Sequence, residues 1–162
     1  MNRRTVILIV VAALLAGGAG VAAGLAVRGS GPRHPEISAY THGQLSRVGP
    51  YQYCKVLNVN DCDTPGTMGV LRVNSRDAVQ LSVPAAIGRA PWLLSLWYDD
   101  PADTTTTLFR PKTRLAVTIP TVDAFRGRLA GFTVQLLTVT PTPDGDLVEA
   151  THADWSVRTV WD

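Results

Sequence analysis

Cys54 and Cys62 are the only cysteines of the 162-residue chain, and a bond between them closes a ring of nine residues that includes Asn58, Asn60 and Asp61. In an oxidising compartment two such thiols are expected to be joined. The loss of unfolded-chain entropy gives so short a ring about 2.5 kcal/mol, enough to pin a loop but not to carry a fold. Service as a reactive or metal-binding thiol pair would call for a third Cys or a His at ligand spacing, and none is present.

Carboxylates form two groups, Asp99, Asp100 and Asp103 in one and Asp144, Asp146 and Glu149 in the other. Clustered loop carboxylates are hard-oxygen ligands of the kind calcium takes. With Trp92 to Tyr98 as a third strand and the Asp144 turn joining the last two, the groups fall at opposite ends and share no ion. Asp99 and Asp100 then lie near Asp123, Arg126 and Arg128, where ion pairing is the plainer expectation. His34, His42 and His152 are isolated in sequence and read as surface residues, His34 in a linker and His42 in a turn before Gly43. The chain has no G-x-S-x-G, H-E-x-x-H, P-loop or C-x-x-C. The reading is a protein without catalytic, metal or cofactor residues.

The elements that carry these residues alternate apolar and polar side chains with a period of two, punctuated by Gly, Pro and Asp. The pattern predicts strands over 36–41, 51–57, 69–73, 78–83, 92–98, 114–119, 132–139 and 155–160. Val79, Leu81 and Val83 alternate with Gln80 and Ser82, so that strand buries one face. Asp144-Gly145 marks a tight hairpin between the last two long strands. Thr104 to Thr107 is set aside as low-complexity, and Arg110, Lys112 and Arg114 read as a solvated strand face. Seven main strands with a Trp opening the middle one predict an all-β, immunoglobulin-like two-sheet sandwich over residues 37–162, with an eight-stranded barrel as the alternative.

The middle strand is apolar on both faces. If Trp92, Leu94, Leu96 and Tyr98 are core, then Leu93 and Trp97 point outward, joined by Leu137 and Val139 of the neighbouring strand. Either the stretch from Ile37 to Leu57 covers that face or a partner does.

Residues 5–27 are 23 consecutive positions without a charge, directly behind Arg3 and Arg4. A helix of that length is roughly 34 Å long and spans a hydrocarbon core of about 30 Å. Residues 1–28 are read as a signal anchor, amino terminus inside, and residues 29–36 as a Gly/Pro-containing linker. Gly24-Leu25-Ala26 also offers a site at which a signal peptidase could remove the segment, leaving a secreted domain. Beyond Arg28 the chain has twelve basic and thirteen acidic residues. Near-neutrality removes the footprint of a nucleic-acid binder.

Taken in order, the basic start and apolar segment, Tyr51-x-Tyr53-Cys54, Cys62, Val79-x-Leu81-Ser82-Val83-Pro84, Ala90-Pro91-Trp92 and Trp155-Ser156-Val157 resemble a family of small exported actinobacterial proteins catalogued only as a domain of unknown function. The resemblance implies an envelope location and an immunoglobulin-like fold, and assigns no activity or site residue. Some members resemble lipoproteins, whereas this chain has no Cys before Cys54. The expectation is a membrane-tethered extracytoplasmic binding or assembly module of the cell envelope. It would meet an envelope or membrane protein through Leu93, Trp97, Leu137 and Val139. The alternative is a secreted carrier or sensor of a lipid or glycan.

Overall fold

The computed structural model describes residues 34–142 and 144–162, so the apolar segment 5–27, its reading as an anchor and most of the linker lie outside the described residues. His34–Asp162 form one compact unit, which begins three positions before the expected Ile37 because the end of the linker packs on the domain. The strands are β1 Ile37–Thr41, β2 Gln44–Val48, β3 Gln52–Lys55, β4 Asn58–Asp63, β5 Met68–Val73, β6 Val79–Ser82, β7 Trp92–Tyr98, β8 Thr105–Phe109, β9 Ala116–Ile119, β10 Val122–Asp123, β11 Gly127–Pro141 and β12 Leu147–Trp161. A single turn of helix, Ala85–Gly88, follows β6.

These strands make two sheets rather than a closed barrel. The smaller is antiparallel in the order β2-β1-β6-β9; the larger runs β4-β3-β12-β11-β7-β8, with β10 beside the start of β11 and β5 beside β12. The β5–β12 pair is parallel. Alternation decides which residues go inside, because successive strand side chains point to opposite faces. Gly69, Leu71 and Val73 of β5 and Val79 and Leu81 of β6 are buried while their neighbours in the strand are exposed. Ile37, Ala39, Val79, Leu81 and Ile119 from the small sheet meet Trp92, Leu94, Phe132, Val134, Trp155 and Val157 from the large one in a single apolar core.

One register feature shapes the rest. Phe109, Trp92, Leu136, Ala153, Tyr53 and Asp63 pair in a row straight across the large sheet. Just past that row Leu136 faces Ala153 but Leu137 faces Thr151, which leaves His152 as the extra residue of a bulge. Beyond it β11 and β12 continue as a two-stranded ribbon, and β3 and β4 as a short hairpin. The links from β6 to β7 and from β8 to β9 cross at this same end, called here the hairpin end. The chain arrives there too: the His34 ring stacks on Tyr53 at 4.3 Å, and the Pro35 carbonyl accepts the Trp155 indole N–H at 2.8 Å.

Candidate functional site

The two cysteines face each other across the β3–β4 ladder and are bonded. Gln52 Nε2 donates to Cys54 Sγ at 3.0 Å, and Lys55 pairs with Asp61, a contact that holds the ammonium proton more tightly than usual. The sulfurs are therefore a clasp on this hairpin, and the Val56–Leu57 tip projects from it.

The first carboxylate group lies where the sequence put it, beside the Arg126 and Arg128 turn, but its partners are backbone groups. Asp99 accepts from the Arg128 amide at 3.1 Å, and Asp100 caps the 3-10 turn Pro101–Asp103 by accepting from Ala102 N at 2.9 Å. Asp123 accepts the amides of Phe125 and Arg126, each at 2.9 Å, which together with the Arg126 guanidinium hold its carboxyl below the ordinary range. Arg128 instead lies over the Trp161 ring at 5.0 Å. The second group sits on and beside the β11–β12 turn, at the hairpin end. Among the described residues no three His, Cys, Asp or Glu side chains gather as a metal site.

The expectation of three surface histidines needs correction at one position. His152 is 5% exposed because, as the bulge residue, it is turned in beside Tyr53; its Nδ1 donates to the Cys54 carbonyl at 3.2 Å. His34 Nε2 lies 3.0 Å from Asp63. His42 occupies the expected turn, with φ of 30° before Gly43 at 85°. None of these contacts is with a hydroxyl or a thiol.

The four residues expected to form an apolar contact face divide. Leu93 stands between Leu108 and Gln135, and the Trp97 ring lies over Gly131, where an added Cβ would come within 3.1 Å of Trp97 Cε3; both are half-buried. Leu137 is on the expected side by register but only 6% exposed, whereas Val139 is 53% exposed. A belt of hydroxyls crosses the face between Leu93 and Trp97, Thr106 with Ser95 at 3.0 Å and Thr133 with Ser156 at 3.4 Å. Nor does 37–57 fold over it: β1 and β2 belong to the other sheet and β3 extends the edge beside β12.

Both hairpins carry exposed apolar side chains at the hairpin end, Val56 and Leu57 (81%) on one and Val139, Leu147 (73%) and Val148 on the other, while Phe125, 94% exposed, stands in the turn at the opposite end. The two hairpins touch where Thr138 Oγ1 donates to the Val56 carbonyl at 3.5 Å. Leu147 and Val148 went unread because a turn flanked by apolar residues signals only a hairpin; what marks them is that the ribbon outruns the second sheet.

Beside the hairpins is a cleft of about 270 Å³ lined by Ala85, Gly88, Arg89, Lys112 and Leu115. Its far wall is the 110–115 link, a turn and not the strand face expected for Arg110, Lys112 and Arg114. Lys112 N donates to the Gly88 carbonyl at 2.7 Å, and Lys112 adopts a φ of 61°, a left-handed conformation a lysine rarely takes. A Cβ on Gly88 would lie 2.2 Å from Leu115 Cδ2, so glycine is what lets Leu115 lie across the helix.

A model of the family described as protein of unknown function (DUF2771) matches residues 30–160. An uncharacterized protein of Mycobacterium tuberculosis (strain H37Rv) and one of Mycobacterium bovis are each 58% identical to this chain over 153 residues, 94% of this chain and 94% of theirs. No solved structure matches.

Proposed function

The chain belongs to that family of unknown function, and on this footing we propose a membrane-tethered, extracytoplasmic binding or assembly module of the cell envelope that performs no catalysis. Within this reading the sandwich is immunoglobulin-like. The β6–β9 pair in one sheet, the β7-β11-β12 order in the other and the parallel β5–β12 edge follow the B–E and C-F-G arrangement of such domains.

One observation carries the proposal: the chain comes into the domain at the end from which both apolar hairpin tips project. From Tyr53, on which His34 stacks, to Leu57 is four residues, at most about 13 Å. Residues 28–33 reach at most about 20 Å when extended. Under a tether through 5–27, so short a spacer would keep the hairpin end within reach of the bilayer, where an envelope or membrane protein would meet Leu57 and Leu147. Of the sequence-derived contact residues, Val139 stays in this surface, while Leu93, Trp97 and Leu137 are too covered to lead it.

The test is crosslinking in cells, followed by mild solubilisation of the full-length protein. A stoichiometric membrane partner that disappears with Leu57→Ser/Leu147→Ser, circular dichroism unchanged, supports the reading. Loss with Trp97→Ser alone would return the contact to mid-sheet. A mature chain starting near Val27 with no partner would sink the proposal and favour the secreted carrier or sensor.

A further inference from the structure

The two segments that wall the cleft, 84–90 and 110–115, carry Arg89, Arg110, Lys112 and Arg114 and no carboxylate. Neither Arg89 nor Lys112 has an acidic partner among the described residues. The near-zero net charge of the exported part hides this segregation, since the acids of the hairpin end sit on the two hairpins, Asp61 and Asp63 on β4 and Asp144, Asp146 and Glu149 on the neighbouring ribbon. The floor of Ala85, Gly88 and Leu115 is apolar. Left-handed backbone at Lys112, tied to the Gly88 carbonyl, fixes the wall that presents the cation.

Two cations over an apolar floor fit an anion that carries hydrocarbon. A cleft of about 270 Å³ holds a headgroup and not a whole lipid. The cleft is walled by the two links that cross at the end where the chain enters the domain, so under the tethered reading, with a spacer of at most about 20 Å, the nearest such ligand is a membrane lipid. We infer that Arg89 and Lys112 seat the phosphate headgroup of an anionic bilayer lipid, with Ala85, Gly88 and Leu115 against the adjoining hydrocarbon. The inference rests on the tethered reading, and it adds a lipid site beside the protein-contact surface.

The probe is the full-length protein in nanodiscs containing photoactivatable phosphatidylglycerol, with photoactivatable phosphatidylcholine as the neutral control. Phosphatidylglycerol should label peptides spanning 85–89 and 110–115, and labelling should fall roughly thirtyfold in Arg89→Gln/Lys112→Gln, by the usual worth of two cations at a charged surface. Arg76→Gln, at the opposite end, should leave it unchanged. Equal labelling by phosphatidylcholine, labelling confined to 56–57 and 141–147, or indifference to the double variant would overturn the site. Competition by glycerol phosphate in solution would replace the bilayer lipid with a soluble anion and overturn it as stated. Resistance of the chain to alkaline carbonate extraction is scored in parallel: released protein means the tether fails, whereas retained protein without specific labelling means the lipid site fails.

Discussion

The Trp155 indole donates to the carbonyl of Pro35, 120 residues earlier in the sequence, at 2.8 Å. Trp155 is fully buried at the middle of β12, so the last residues of the linker are fastened to the centre of the large sheet. The other large buried indole differs: Trp92 stacks on Phe109 at 4.2 Å, and its Nε1 is buried with no partner.

This contrast predicts unequal costs for the same substitution. Trp155→Phe loses packing and a hydrogen bond, leaving the Pro35 carbonyl unpaired, while Trp92→Phe loses similar packing but removes an orphaned donor. Urea unfolding followed by circular dichroism should show Trp155→Phe the more destabilising by about 1–2 kcal/mol; equal losses would contradict the assigned partners.

Gly131 should tolerate no side chain. A Cβ there lies 2.6 Å from the Val157 carbonyl oxygen, a backbone atom that cannot step aside, with the Trp97 ring above. Gly131→Ala should cost about 1–3 kcal/mol by overpacking and change Trp97 fluorescence. Gly43→Ala, in open space but at φ 85°, should cost less and leave the fluorescence as it was.

Removing the clasp with Cys54→Ser/Cys62→Ser should lower stability by about 2.5 kcal/mol without abolishing the fold, because neither residue belongs to the main core. Hydrogen exchange should rise at 55–62 and stay unchanged in β7 and β11. Global unfolding of the reduced chain would show that the hairpin does more than hold its own tip.

Two carboxylates should pull stability in opposite directions as pH changes. Asp154, between Gln135 and Gln52 on the large sheet, has its pKa pushed up by burial. Its ionised form opposes folding, so wild-type stability falls as pH rises through the folded value. Asp154→Asn should therefore stabilise at neutral pH, with a gain that vanishes below the ordinary carboxylate range. Asp123, lowered by its amide donors, contributes stability above its unfolded value that is lost as pH falls through the folded one. Asp123→Asn should destabilise at neutral pH and become neutral in acid.

Where the sequence was legible follows from burial. β7 runs Trp92–Tyr98 as expected, and β1, β5, β6 and β9 lie within two residues of expectation, because each has a buried face that forces alternation. The strands that escaped notice are held by other forces. β4, Asn-Val-Asn-Asp-Cys-Asp, is a poor strand former kept in the ladder by the disulfide. β8 is the edge strand hidden in the Thr104–Thr107 tract, and β2 buries only Val48. β12 was shortened because its outer half leaves the core and no burial pattern marks it, whereas β11 was begun five residues late, at Phe132, although Leu129 and Gly131 are buried in alternation, because Gly127 and Gly131 break the apolar run. The covering of Leu137 and the half-burial of Leu93 and Trp97 escaped the sequence for the same reason: a bulge at His152 and a belt of hydroxyls have no one-dimensional signature, and neither does the meeting of two hairpins.

β12 takes its neighbours from distant parts of the chain: β11 directly before it, but also β3 and β5, with Cys54 lying 98 residues from the His152 that contacts it. Such non-local pairings must close long loops before any contact rewards them, which slows folding far more than it lowers final stability. A chain of this topology stays open for a long interval after synthesis. For a domain that crosses a membrane as proposed, that delay keeps the polypeptide threadable until it reaches the far side.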